Sequence, residues 1–250
     1  MWIEQLVAES LGKRGEGLFL VPTEPFTQQF TQKGELGFQE NSKCLDLKIG
    51  EFTSNFDDKR KATVCLKDEY DIAAQFFHWE MATAVAAAHI GINPFDEPNV
   101  AEAKQKTSEL LSQSEAIELP KQQHSIQQFL SSLAQSEYLA LLVYAEDCDE
   151  NAEEIAKIKS AIEKQIDLPV TVNYGPRYLH SVGQIHKGGK QHGAFLLLLD
   201  LPDHLMPIPG KNFGFDKLFC AQALGDFQIL REKGLPTEFI TIKDWQDIDI

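Results

Sequence analysis

The residues with the clearest chemical potential lie between Gly175 and Gly193. This stretch combines acid–base and cationic side chains in a chain whose net charge is −15. They are His180, His186, His192, Arg177, Lys187 and Lys190. A histidine exchanges a proton near neutral pH, and basic neighbours attract an anion. We therefore predict a site for a small anionic ligand, with His180 as the proton-transfer candidate and the basic side chains close to it. Taken singly, His180 is also consistent with an ordinary surface histidine.

Spacing and charge disfavour metal, nucleotide and nucleic-acid sites. The three histidines are six residues apart, so on a helix successive rings would point about 120° apart rather than to one face. Gly12, Gly15 and Gly17 follow a predicted helix, whereas a dinucleotide-binding glycine motif follows a strand. The chain has no Gly-x-Ser-x-Gly nucleophile motif. Its net charge of −15 disfavours a nucleic-acid partner.

The elements that must position these residues alternate between strand and helix in the second half of the chain. Helices are predicted over 125–134, 152–165 and 215–233, and strands over 138–144, 170–173, 194–200 and 238–242. Such alternation indicates an α/β fold with parallel strands and right-handed crossovers. The stretch 175–193 leaves the carboxyl end of the strand at 170–173, which is the edge where parallel sheets bind ligands.

The first half is predicted to combine three helices with short strands, and residues 23–60 are expected to be largely irregular. Helices are expected over 2–11, 71–90 and 97–111, and strands over 18–21, 37–40, 45–49 and 62–66. Gly12 follows the first helix and is expected to be its left-handed cap. Residues 112–122 have the composition of a linker between the two halves.

The cysteines and the hydropathy pattern favour a cytoplasmic protein. The four cysteines form no Cys-x-x-Cys pair, which is typical of a reduced compartment. No signal peptide or apolar run of membrane-spanning length is recognisable, so no membrane partner is expected. The chain enters an amphipathic helix at Trp2, which suggests a cut within a longer protein.

Three segments resemble phosphoglucose isomerases. Glu9-Ser-Leu-Gly-Lys13 resembles the segment that holds the catalytic glutamate of that family. Leu179-His-Ser-Val-Gly-Gln184 resembles the bacterial segment that holds its catalytic histidine. Gly91-Ile-Asn-Pro-Phe-Asp-Glu-Pro-Asn-Val100 is similar to a third family segment, whose catalytic lysine lies eight residues after the Asp. Lys104 is eight residues after Asp96.

The resemblance implies an aldose–ketose isomerase that acts on a sugar phosphate through an enediol. Glu9 is then the base that moves a proton between C2 and C1, His180 opens the sugar ring, and Lys104 stabilises charge on substrate oxygens. The implied substrate-binding residues are Lys13, Arg177, Ser181 and Gln184. The resemblance implies no metal and no organic cofactor.

The implied fold is a layered parallel-sheet sugar-isomerase (SIS-like) fold followed by a second α/β unit. Residues 1–114 would be the remainder of the sugar-isomerase domain, and residues 115–250 a C-terminal α/β domain. The histidine segment comes last, whereas in the usual enzyme it lies between the other two. This order is similar to the isomerase part of bifunctional transaldolase/phosphoglucose isomerase proteins.

The family's Ser/Thr-rich phosphate loop and Gly-Gly-Arg segment are missing from the sequence. We therefore expect the C-terminal portion of a glucose-6-phosphate isomerase whose partner is a missing N-terminal isomerase domain, with a homodimer as a further possibility. Two alternatives stay open. One is a non-catalytic sugar-phosphate-binding or assembly module with the same fold, and the other is an unrelated acidic α/β protein with chance matches.

Overall fold

The computed structural model describes residues 2–21, 43–48, 61–66, 70–96, 98–113, 117–201, 206–245, 248 and 250. The α-helices in these ranges are α1 (Trp2–Leu11), α2 (Asp71–Ile90), α3 (Pro98–Ser112), α4 (Ile126–Ser131), α5 (Asp149–Glu163), α6 (Gly183–Gly188) and α7 (Phe215–Glu232). The strands are β1 (Lys43–Lys48), β2 (Lys61–Leu66), β3 (Tyr138–Tyr144), β4 (Val170–Tyr174), β5 (Gly193–Asp200) and β6 (Thr237–Ile242). A 3₁₀ helix covers Arg177–His180 and is called the 177–180 turn below.

A four-stranded parallel sheet with the order β4-β3-β5-β6 forms the centre of the second half. In its register Leu141 lies between Val172 of β4 and Leu196 of β5. Strand β3 is buried at every position, because a central parallel strand is covered on both faces and is therefore apolar throughout. The prediction of an α/β fold with parallel strands is confirmed.

Alternate side chains of the sheet enter two hydrophobic clusters. One face directs Leu142 and Leu197 towards α7, where they share a cluster with Phe227. The other face directs Leu141 and Leu196 towards α4 and α5, whose buried residues include Phe129 and Ile158. Two strand faces covered by helices make a three-layer α/β/α arrangement.

The first half supplies helices that pack against one another and against this unit. Val7 and Leu11 of α1 form a smaller cluster with Ala87 of α2. Ala8 of α1 and Leu110 of α3 belong to the hydrophobic cluster that also contains Leu142, Leu197 and Phe227. The division into domains at residue 114 stays a prediction. One hydrophobic cluster contains residues from both sides of that position.

Most predicted elements of the first half are confirmed, with shifts of one or two residues at their ends. Helix α2 ends at Gly91, whose φ of 84° is left-handed and whose N–H donates to the carbonyl of Ala87. Strands β1 and β2 pair antiparallel. The expected strand at 37–40 lies outside the described residues.

Two local predictions are wrong. Residues 18–21 form no strand; within them Phe19 stacks on the ring of Tyr138 with 3.8 Å between ring centroids. Gly12 is not a left-handed cap, since the positive φ angles after α1 fall at Arg14, Gly15 and Gly17. Gly12 instead allows the backbone of Ile185 to approach closely.

Among the described residues, none of the helices combines the length and the apolar character that a membrane span requires.

Candidate functional site

The side chain of Gln5 connects two of the three predicted catalytic residues. Its amide nitrogen lies 3.4 Å from a carboxylate oxygen of Glu9, one turn further along α1. The same nitrogen donates to the backbone carbonyl of His180, 3.1 Å away and 175 positions later in the chain. Glu9 is half-buried and His180 is exposed. The carboxylate of Glu9 and the backbone of the turn that carries His180 therefore contact the same side chain, through the carbonyl of His180 rather than its imidazole.

The side chain of Gln184 links all three motif-bearing segments. This residue is 1% exposed. Its amide nitrogen donates to the carbonyl of Gly12 at 2.8 Å and to the side-chain oxygen of Asn99 at 2.9 Å. Its own oxygen accepts the backbone N–H of Asn99 at 3.3 Å. Both N–H groups of the amide are therefore used inside the protein.

Lys13 joins the first segment to the third. It is 2% exposed, and its ammonium group donates to the carbonyl of Asn93 at 2.9 Å. The same group forms an ion pair with Asp96 at 3.0 Å. A buried ammonium requires such partners. Lys13 and Gln184 thus hold the segments together in this structure, and their predicted contacts with substrate stay predictions.

Gly12 and Gly188 allow the backbones of these segments to touch. A Cβ on Gly12 would collide with the backbone of Ile185 in α6. A Cβ on Gly188 would lie 2.5 Å from both the carbonyl of Gly12 and the side-chain oxygen of Asn99. Glycine at both positions is therefore a condition for α1, α6 and the start of α3 to approach one another.

Arg177 and Ser181 flank His180 and keep local partners. The exposed guanidinium of Arg177 lies 3.3 Å from the carboxylate of Asp147 and 5.8 Å from the centre of the Tyr174 ring. The hydroxyl of Ser181 donates to the carbonyl of Tyr178 at 3.3 Å. Both residues lie beside His180 in the chain, and neither is buried.

Lys104 is the predicted catalytic residue that the contacts of Gln5 and Gln184 described above do not include. It lies on α3 and is exposed. A residue five positions after Asn99 lies about 140° further around a regular helix, and Asn99 is the residue that faces Gln184.

One part of the anion-site prediction is wrong. Lys187 does not face a ligand beside His180, because its side chain is 1% exposed and its ammonium lies 2.6 Å from Asp226. The hydroxyl of Tyr178 donates to the other oxygen of this carboxylate at 2.5 Å. Sequence reasoning did not single out Asp226 or Tyr178. The available signal was a carboxylate inside the apolar run Ala223-Leu-Gly-Asp-Phe227 of a predicted helix.

His186 is a buried residue of α6. Its Nδ1 lies 3.0 Å from the hydroxyl of Tyr138, and its Nε2 has no hydrogen-bond partner among the described residues. Burial, with a smaller contribution from the charge of Lys187, lowers the pKa of His186 to about 3. The imidazole is therefore neutral at physiological pH.

The described ranges contain no group of three or more His, Cys, Asp or Glu side chains that could hold a metal ion. A cleft of about 270 Å³ lies between the start of α4 and the end of β6. Its lining includes Ser125, Thr241 and Lys243 but none of the candidate site residues.

Comparison with protein-family models, with curated proteins and with solved structures finds no match to this chain.

Proposed function

We propose that this chain is the C-terminal portion of a cytoplasmic glucose-6-phosphate isomerase that interconverts glucose 6-phosphate and fructose 6-phosphate. The proposal includes an SIS-like sugar-isomerase fold. The observation that carries it is the meeting of three segments at Gln184, since each of these segments separately resembles a catalytic segment of phosphoglucose isomerases. Segments that match by chance have no reason to share one buried amide.

The proposed chemistry moves one proton between neighbouring carbons. The carboxylate of Glu9 takes the proton from C2 of the open-chain sugar, and an enediol forms as the carbonyl oxygen at C1 gains a proton. The same carboxylate then returns the proton to C1 while the hydroxyl on C2 loses its proton, which gives the ketose. His180 moves the proton that opens the ring, and its exposed position on the 177–180 turn leaves the imidazole accessible to substrate.

Lys104 would stabilise negative charge on the substrate oxygens during ring opening. This role requires that its ammonium approach the substrate from the exposed side of α3. Arg177 is the exposed cation next to His180, and we assign it to the phosphate of the substrate. It would have to exchange its ion pair with Asp147 for the phosphate, and such an exposed pair is worth only about 0–1 kcal/mol.

The proposed activity depends on an N-terminal isomerase domain that holds the rest of the sugar phosphate. The experiment incubates fructose 6-phosphate in D₂O with the 250-residue chain, alone and together with the N-terminal domain of a bacterial phosphoglucose isomerase. Proton NMR then follows deuterium entering at C1 and C2 and the appearance of glucose 6-phosphate. We expect conversion with the added domain and little without it.

Two results would contradict these statements separately. Full activity of the chain alone would contradict its dependence on a second domain. Absence of both deuterium exchange and conversion in the mixture, although fructose 6-phosphate shifts the amide resonances of residues 177–184, would contradict catalysis.

That second result would favour a non-catalytic sugar-phosphate-binding or assembly module. The observation on its side is the exposed position of Lys104, away from the face of α3 that meets Gln184. Substrate-induced shifts at the 177–180 turn without any exchange at carbon would identify such a module.

A further inference from the structure

A buried ion pair lies beneath the turn that carries His180. The ammonium of Lys187 and the carboxylate of Asp226 are 2.6 Å apart, with side chains 1% and 2% exposed. Two charges removed from water are costly unless their remaining hydrogen-bonding capacity is also used. The second oxygen of Asp226 accepts the hydroxyl of Tyr178 at 2.5 Å. One carboxylate on α7 therefore holds two donors at once.

These two donors come from two successive elements of the chain. Tyr178 lies in the 177–180 turn, two positions before His180. Lys187 lies in α6, which also carries Gln184. Between the turn and α6 the chain passes through Ser181, whose φ of −147° and ψ of −97° belong to neither helix nor strand. Asp226 thus attaches both ends of this bend to α7.

We propose that Asp226 is a positioning residue for His180 and acts through Tyr178 and Lys187. A single helical turn has few backbone hydrogen bonds of its own, so a buried side-chain anchor decides where its exposed residues point. Proton transfer depends strongly on such placement, since a displacement of about 1 Å can cost about a hundredfold in rate. This inference rests on the isomerase activity proposed above.

The alternative is that the network only stabilises the fold, and a matched variant separates the two. Tyr178→Phe keeps the ring and removes the hydroxyl that donates to Asp226. Tyr138→Phe removes another buried tyrosine hydroxyl, whose partner is His186 of α6, 3.0 Å away. Each variant loses one short buried hydrogen bond on the same side of the sheet, and Tyr178→Phe also loses the 3.5 Å contact from the hydroxyl of Tyr144. Only Tyr178→Phe releases the 177–180 turn.

The experiment measures isomerisation by both variants and by the unaltered chain, each with the added N-terminal domain. We expect Tyr178→Phe to lower kcat about tenfold to a hundredfold, with KM changed less than about twofold and a shifted pH–rate profile. Tyr138→Phe should keep kcat within about twofold at a similar fall in Tm. Equal kcat values for the two variants would overturn the inference.

A second measurement does not require activity. The N–H of Ser181 donates to the carbonyl of Tyr178 at 3.0 Å, so its hydrogen exchange reports on the turn. Exchange at Ser181 should be faster in Tyr178→Phe and unchanged in Tyr138→Phe. Equal protection in both would overturn the inference even if the unaltered chain proves inactive, a result that contradicts only the proposed function. Asp226→Asn is less suitable, because it leaves the charge of Lys187 buried without a counter-ion.

Discussion

The amide nitrogen of Gln184 lies 2.8 Å from the carbonyl oxygen of Gly12, although the two residues are 172 positions apart in the chain. Through the same amide, Asn99 joins the contact. The three segments whose sequences resemble catalytic segments are therefore physically connected.

Replacing Gln184 by Leu should destabilise the protein by about 2 kcal/mol. The change leaves the buried carbonyl of Gly12, and the backbone N–H and side-chain oxygen of the half-buried Asn99, without their partner. Orphaned groups of this kind cost about 1–3 kcal/mol. Urea unfolding followed by circular dichroism gives the value. Gln191→Leu is the control, since Gln191 is exposed and makes a single bond, to Gly189. An equal effect of both changes would contradict a linking role for Gln184.

Gly12→Ala and Gly225→Ala should change stability in opposite directions. A methyl group on Gly12 collides with the backbone of Ile185, and such overpacking costs about 1–3 kcal/mol. A methyl group on Gly225, inside α7, lies 3.5 Å from its nearest neighbours in Thr107. Alanine there should stabilise the helix by up to about 1 kcal/mol. The two Tm values, measured at one pH, test the pair, and a neutral Gly12→Ala would contradict the close approach of α1 and α6.

His186 should make the protein lose stability as pH falls. Burial lowers its pKa from 6.5 to about 3, so the unfolded chain binds a proton below pH 6.5 that the folded chain does not bind. Stability is therefore fully present above pH 6.5 and falls by about 1.4 kcal/mol per pH unit from there towards pH 3.

The contribution of His186 can be isolated with His186→Asn, whose side-chain oxygen can still accept from Tyr138. Between pH 7 and pH 5 the free energy of unfolding should fall by about 2 kcal/mol more for the unaltered chain than for this variant. Between pH 7 and pH 8 the two should change in parallel. Parallel curves across the whole range would contradict a neutral buried imidazole.

Glu9→Gln should abolish carbon–proton exchange while leaving substrate binding measurable. The amide cannot act as a base, but it keeps the shape of the carboxylate and can still interact with Gln5. We expect the rate of deuterium entry into fructose 6-phosphate, measured with the added N-terminal domain, to fall at least about a hundredfold. Glu16→Gln changes an exposed carboxylate beyond the end of α1 and should retain the rate. Retained exchange in Glu9→Gln would exclude Glu9 as the base.

Local patterns in the sequence were sufficient for most of the described elements. The Leu-rich runs of β3 and β5, the helix over 71–90 and its end at Gly91 follow from hydrophobic periodicity and backbone preferences, which involve residues close in the chain. The motifs at Glu9, His180 and Lys104 were also visible in the sequence alone. These features require no knowledge of which strands are neighbours.

The tertiary structure decided which of those features meet. The prediction that Lys187 faces an anion was wrong, because the partner that buries it, Asp226, lies 39 positions away on another helix. The role of Gly12 depends on the backbone of Ile185, and the place of Phe19 depends on the ring of Tyr138. Such contacts join residues far apart in the chain. They exist only after the order β4-β3-β5-β6 has brought the helices together, so no local pattern encodes them.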